Sequence, residues 1–309
     1  MITTVCLNPS IDHMLQVENF KYGGLNRVVG ERFDAGGKGV NVAVAVSALG
    51  IDAQCVGFMH RESARIFETR LLKSGAAYDF VWLEGRARTN LKVFDEAVGA
   101  VTEFNGSGLP VAEADLQRMT HLVAHRAERA DFLILSGSLP PNCPEDYYAQ
   151  LISAVDGLGC RVILDADGPP LKFGIGARPY LVKPNRHELE ALAGRKLDTR
   201  ERVRDAAREL IDRGISVVAV SLGSGGAVIA DRNESWFAPA LDIEVRSTVG
   251  AGDAMVAGIA AGLLMEAELE QVFQMGVASA SAMCMTEGTD ALSRADYRRL
   301  LEAVRPERI

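Results

Sequence analysis

The chain has no Cys-x-x-Cys pair. Its five cysteines, Cys6, Cys55, Cys143, Cys160 and Cys284, are odd in number and lie far apart. A zinc site and a disulfide framework are therefore not expected, and reduced thiols are. A basic balance is also missing: 33 Lys and Arg stand against 41 Asp and Glu, a formal net charge of −8. That argues against nucleic acid as the main partner, since phosphates need cations to neutralise them. A local basic pocket for a small anion is not excluded. No apolar run approaches the ~20 residues that cross a bilayer, so no membrane association is expected. The opening Met1-Ile2-Thr3-Thr4-Val5-Cys6-Leu7-Asn8-Pro9 lacks the basic start and long apolar core of a secretory signal. It reads as a first strand ending in a turn, and a cytoplasmic location is expected. Internal repeats, low-complexity tracts and long linkers are absent too. No Gly-x-Gly-x-x-Gly follows the first strand, which argues against a dinucleotide-dependent dehydrogenase.

What is present is alternation. At 309 residues, 48% hydrophobic and 24% charged, the chain suits one large α/β domain or two smaller ones. Short apolar runs at 53–58, 132–136, 161–165, 180–183 and 216–221 read as buried parallel strands. Stretches 39–49, 63–73, 145–156, 199–212 and 251–264 read as helices between them. This implies right-handed βαβ units and a parallel sheet covered on both faces. Such sheets bind ligands beyond their C-terminal strand ends. Two regions, 14–34 and 80–104, alternate apolar and polar residues without a helical period. Val81-Trp82-Leu83, Asn90-Leu91-Lys92-Val93-Phe94 and Ala100-Val101-Thr102-Glu103-Phe104 are expected as antiparallel strands of one small sheet over the active-site edge. One of its faces is apolar and needs a cover, so it serves as a substrate lid, a dimer contact, or both.

Five loops carry candidate chemistry. Ser247-Thr248-Val249-Gly250-Ala251-Gly252-Asp253 opens a buried helix. Orphan N–H groups and the positive dipole end attract an anion there, and Asp253 places a carboxylate in the same turn. That pairing suits a reaction that deprotonates a hydroxyl and stabilises a migrating phosphoryl group; a plain glycine-rich helix start would look the same. Asp34-Ala35-Gly36-Gly37-Lys38-Gly39-Val40-Asn41 combines exposed backbone, a cation and an amide, and suits a polyhydroxylated anionic ligand. It is not a Walker A loop, because Gly39 follows Lys38 where Ser or Thr would hold Mg²⁺. Ser136-Gly137-Ser138-Leu139-Pro140-Pro141 follows an apolar strand, as ligand loops and plain turns both do. In Lys183-Pro184-Asn185-Arg186-His187-Glu188, Asn185 and Glu188 share one face of a first helical turn. They could orient waters on a hard cation, form a capping box, or do both. Ser221-Leu222-Gly223-Ser224-Gly225-Gly226-Ala227 offers a flat nucleotide surface or a tight hairpin turn. Arg27 and Arg86-Ala87-Arg88-Thr89-Asn90 lie in the expected lid, where Arg can grip a phosphate.

Taken in order, Gly-Gly-Lys-Gly-x-Asn, Ser-Gly-Ser-Leu-Pro, Lys-Pro-Asn-x-x-Glu, Ser-Leu-Gly-x-x-Gly and Thr-Val-Gly-Ala-Gly-Asp resemble the ribokinase / phosphofructokinase-B family of carbohydrate kinases, from Asn8 to about Gly288. The resemblance implies an α/β fold: one domain over residues 1–309, a mostly parallel sheet sandwiched by helices, and a small β-sheet lid used as a homodimer clasp. It implies Asp253 as the base and Gly250, Ala251 and Gly252 as the anion hole. Asn185 and Glu188 would organise Mg²⁺ through water. Lys183, Asn185, Ser221, Gly223, Gly226 and Thr248 would serve ATP, and Asp12, Gly37 and Asn41 the sugar hydroxyls. Within the family, Leu7-Asn8-Pro9-Ser10-Ile11-Asp12, Arg88-Thr89-Asn90-Leu91-Lys92, Thr102-Glu103-Phe104-Asn105-Gly106-Ser107-Gly108 and Lys38 are similar to the sugar-phosphate branch. Arg88, Lys38 and Ser138 would meet the substrate phosphate, with Arg27 supplied across the dimer. The implied reaction moves the ATP γ-phosphoryl to the C6 hydroxyl of fructose 1-phosphate. Tagatose 6-phosphate and fructose 6-phosphate are the rival acceptors. A non-catalytic sugar-phosphate sensor is the rival of another class, and a sensor needs neither Asp253 nor the anion loop.

Overall fold

A computed structural model describes residues 1–288 and 290–309. In chain order its elements are β1 (Ile2–Cys6), β2 (Ser10–Val17), β3 (Val28–Gly36), α1 (Lys38–Ala48), β4 (Ala53–His60), α2 (Ala64–Ser74), β5 (Ala77–Leu83), β6 (Arg88–Asp95), β7 (Ala100–Asn105), α3 (Glu113–Ala127), β8 (Phe132–Ser136), α4 (Tyr147–Ala154), β9 (Arg161–Asp165), α5 (Gly168–Gly176), β10 (Leu181–Val182), α6 (Arg186–Ala193), α7 (Arg200–Asp212), β11 (Val217–Ser221), β12 (Ala227–Ala230), β13 (Ser235–Ala238), α8 (Ala251–Leu264), α9 (Leu269–Cys284), α10 (Arg294–Leu301) and β14 (Glu307–Arg308).

The large sheet runs β14-β13-β12-β11-β10-β9-β8-β1-β4-β5. Its strands from β11 to β5 are parallel, and β12, β13 and β14 continue it antiparallel. Val, Ile and Leu fill the parallel strands because both faces are covered. One core joins residues of α1, α2, α8, α9 and α10 to the sheet, and a second joins residues of α3 to α7 to its other face. β1 lies between β4 and β8. The chain therefore winds outward from β1 in one direction, then from β8 in the other. A crevice opens where that winding reverses, beyond the C-terminal ends of β1 and β8.

Helix α8 is apolar almost all round and packs between α1 and α9. Its small residues suit that central place, and its start faces the crevice. No helix among the described residues is long and apolar enough to cross a membrane.

A second sheet, β3-β2-β6-β7, forms the lid. It corrects the sequence reading in three ways. The lid strands begin and end at Ser10–Gly36 and Arg88–Asn105 rather than at 14–34 and 80–104. Val81-Trp82-Leu83 belongs to β5, which pairs in parallel with β4 at the edge of the large sheet. A half-exposed edge strand carries the same mixed pattern as a lid strand, so the pattern could not separate them. Finally, β6 pairs antiparallel with β7 but parallel with β2.

Candidate functional site

Asp253 stands in the first turn of α8 and is only 5% exposed. Burial pushes its carboxyl up to about 6; Lys38, the Asn41 hydrogen bond and Lys183 pull it down, and Asp165 pushes it further up. Asn41, on α1, donates through Nδ2 to Asp253 Oδ2 at 2.8 Å. Gly250 makes the turn before α8 with φ 78°, a conformation open to glycine, and a Cβ there would sit 3.1 Å from Met283 Cε. The Ala251 amide donates to the Thr248 carbonyl at 3.3 Å. The amides of Gly252 and Asp253 have no backbone acceptor among the described residues and are the open donors of this helix start.

Beside this turn lies a buried charge cluster. Asp165, at the end of β9, is fully enclosed. Its Oδ1 accepts from Lys38 Nζ at 3.2 Å and pairs with Lys183 Nζ at 3.3 Å. Burial works against its charge, but the two ammonium groups outweigh burial and hold the carboxyl below its usual range. The same balance holds Lys38 protonated: burial opposes its charge, while Asp165, Asp253 and Glu188 more than offset burial. Lys183 Nζ lies next to Gly252. The ammonium of Lys38 thus lies on Asp165 and within electrostatic reach of Asp253. The reading from sequence groups Lys38 with Arg88 and Ser138; the stem of Lys38 runs beside Gly137, next to Ser138, while its ammonium reaches Asp165.

Arg88 and Ser138 are linked through Asn8, at the crevice between β1 and β8. Arg88 donates through Nε to the Asn8 carbonyl and through Nη1 to the Gly106 carbonyl, at 3.3 and 2.8 Å. Asn8 in turn donates through Nδ2 to Ser138 Oγ at 3.3 Å. Asp12, on β2, faces the same lid surface. Its carboxylate accepts from Lys92 Nζ at 2.9 Å, from Asn90 at 3.1 Å and from Ser10 at 3.0 Å. Gly37 packs under this surface with φ 101°, and a Cβ there would lie 2.8 Å from Cys6 Sγ. Arg27 sits on the exposed loop between β2 and β3, away from these contacts. Lys92, Asn90, Asp165 and Asn8 were not among the candidate residues. The first two were detectable: Arg88, Asn90 and Lys92 alternate along one strand, so they share a face.

A cleft of about 720 Å³ opens on the other side of α8. Asn185, Ser221, Gly223, Gly226, Thr248 and Gly252 all line it. The glycines of 223–226 do form the tight turn between β11 and β12, and that turn is one wall of the cleft. Lys183 is not among the residues that line the cleft; it is buried beside Gly252, with its ammonium on Asp165. Asn185 and Glu188 make a complete capping box: Glu188 N–H donates to Asn185 Oδ1 at 2.9 Å, and Asn185 N–H to Glu188 Oε2 at 2.7 Å. Asn185 Nδ2 also donates to Glu188 Oε1 at 2.8 Å. Burial pushes the Glu188 carboxyl up. Among the described residues no group of three His, Cys, Asp or Glu is placed to ligate a metal. The hard oxygens of Asn185 and Glu188, held by the cap, fit a cation reached through water rather than one bound directly.

A mostly parallel sheet between two helical layers, a β lid over its crevice and a buried carboxylate at a helix start define the ribokinase-like class. The chain belongs to the pfkB family of carbohydrate kinases, whose sequence profile matches residues 5–295. Membership makes it a sugar kinase, with ATP as a substrate. It is similar to the 1-phosphofructokinase of Xanthomonas campestris pv. campestris, 40% identical over 293 residues that cover 93% of this chain and 92% of that one. Among solved structures it is similar to phosphofructokinase-2 from Escherichia coli. The complex of that enzyme with fructose-6-phosphate is 31% identical, covers 98% of each chain and has a TM-score of 0.90. Its tetrameric inhibited form, at 32% identity and 98% of each chain, has a TM-score of 0.89.

Proposed function

We propose that this chain transfers the γ-phosphoryl group of ATP to the C6 hydroxyl of fructose 1-phosphate, giving fructose 1,6-bisphosphate. The observation that carries the chemistry is Asp253: a carboxylate sealed at a helix start, poised near 6, with open amides beside it. In this reading Asp253 takes the hydroxyl proton as the C6 oxygen bonds to the γ-phosphorus and the bond to the β–γ bridging oxygen breaks, releasing ADP. The open amides and Lys38 face the charge on the migrating group. The 720 Å³ cleft holds the nucleotide. Asn185 and Glu188 would hold Mg²⁺ through water, and the ion would supply positive charge to offset that of the phosphates. Asp12 and Asn41 hold sugar hydroxyls. Arg88 meets the substrate phosphate together with Ser138; its guanidinium contacts two carbonyls and leaves other N–H groups for an anion. The likeness to 1-phosphofructokinases supports fructose 1-phosphate. The likeness to a structure holding fructose 6-phosphate favours that sugar as the second reading. The scattered, reduced cysteines suit a cytoplasmic enzyme.

The test is ADP release against fructose 1-phosphate, fructose 6-phosphate, tagatose 6-phosphate and unphosphorylated fructose. The expected result is the highest kcat/KM for fructose 1-phosphate. A preference for fructose 6-phosphate would replace this reading with the second.

A further inference from the structure

The chemistry described so far leaves Arg70 without a part. Arg70 projects from α2, outside every motif that the sequence singles out. Its Nη1 donates to Asn41 Oδ1 at 2.7 Å and also to the carbonyl of Ala35, just before the glycine turn that joins the lid to α1. Asn41 turns its other end to Asp253. A carboxamide is nearly symmetric in shape, with an acceptor at one end and a donor at the other. Its neighbours decide which way it lies. A guanidinium has donors only, so it can accept nothing from the amide and must face its oxygen.

We propose that Arg70 is a positioning residue: by fixing the Asn41 amide, it keeps an N–H, and not a carbonyl oxygen, against the Asp253 carboxylate. This rests on Asp253 as the base. With the amide reversed, two oxygens would face each other, and the carboxylate would hold its proton more tightly. Lys38 of α1, Asp165 at the end of β9 and Lys183 after β10 also act on Asp253, through charge. Burial pulls the Arg70 guanidinium below its ordinary range, against the opposing charges of Asp34, Asp12, Asp253 and Asp290.

Arg70 also lines a groove of about 1170 Å³ beside α2. A small cation can therefore reach the place that a truncated side chain vacates. The experiment is a carboxyl ¹³C titration of Asp253, assigned with the Asp253→Asn variant, beside the pH profile of kcat/KM. In Arg70→Met the Asp253 midpoint should rise by about one pH unit, lowering kcat/KM about fivefold at pH 6 and hardly at pH 9. Arg70→Lys should move it the same way by less. In Arg70→Ala, millimolar guanidinium chloride should restore the midpoint. An unchanged midpoint in Arg70→Met overturns the proposal. If that variant does not fold, an unchanged midpoint in Arg70→Lys does so, as does an equal shift in an Asn41→Ala background. Full turnover by Asp253→Asn would instead remove the base assignment, while the titration still decides whether Arg70 acts on the carboxylate.

Discussion

Burial opposes the charge that Asp253 needs. The folded chain holds its carboxyl near 6, above the usual carboxylate range, because desolvation exceeds the help from Lys38, Asn41 and Lys183. Only the ionised form accepts a proton, so kcat/KM should fall as pH drops through about 6, and the profile of the purified enzyme checks this. Asp253→Asn should cost about 10²–10⁴ in kcat. The same change should raise stability at pH 8, by up to about 3 kcal/mol, since an unfolded Asp ionises more readily than this folded one. The gain should shrink as pH falls below about 6 and vanish toward pH 3, where both states hold the proton; denaturant unfolding at pH 8 and pH 3 reads it. Arg88→Leu should raise KM for the sugar phosphate by about 10- to 100-fold and leave that for ATP little changed. Lys38→Met should lower kcat more than it raises KM, because its ammonium sits against Asp165 and helps hold the Asp253 carboxyl down. Asp253, Asn41 and Lys38 were legible in the sequence because their loops are contiguous. Asp165 and Arg70 were not, since neither lies in such a loop and their partners Lys38 and Asn41 are 127 and 29 positions away.

Elements whose pattern follows from burial on both faces were legible, and β8, β9 and α8 lie where their apolar runs place them. Residues 81–83 of the edge strand β5 read as lid because exposure, not topology, sets their alternation. The strand expected at 180–183 shrinks to Leu181–Val182, because Pro184 follows and cannot donate to a ladder. Helix α6 shows how a capping motif can carry two duties. Glu188→Gln leaves a side chain that can still close the capping box. Thermal stability should therefore change little, while the Mg²⁺ concentration for half-maximal activity should rise. A drop in melting temperature with unaltered Mg²⁺ dependence would confine Glu188 to the cap.

At the scale of the whole molecule the lid leaves apolar surface bare. Tyr22 and Leu25 on the loop between β2 and β3, and Phe104 on β7, are 97%, 78% and 54% exposed. A monomer seldom leaves so many large side chains uncovered on one small sheet. Light scattering at micromolar concentration should give the mass of two chains, and Leu25→Asp combined with Phe104→Asp should reduce it to one. A fully active wild-type monomer would remove any contribution of Arg27 across a dimer. The place of β1 has a consequence for how the chain is made. Synthesis runs from β1 toward α8, yet β1 ends in the middle of the sheet, with β4 on one side and β8 on the other. A growing chain can pair β1, β4 and β5 early, but the other edge of β1 stays open until Phe132–Ser136 emerge. Asp253 emerges later still. On the reading that Asp253 is the base, a chain that stops shortly before α8 would hold Asp12, Arg88 and Ser138 but no base, and such a partial product should be unable to spend ATP.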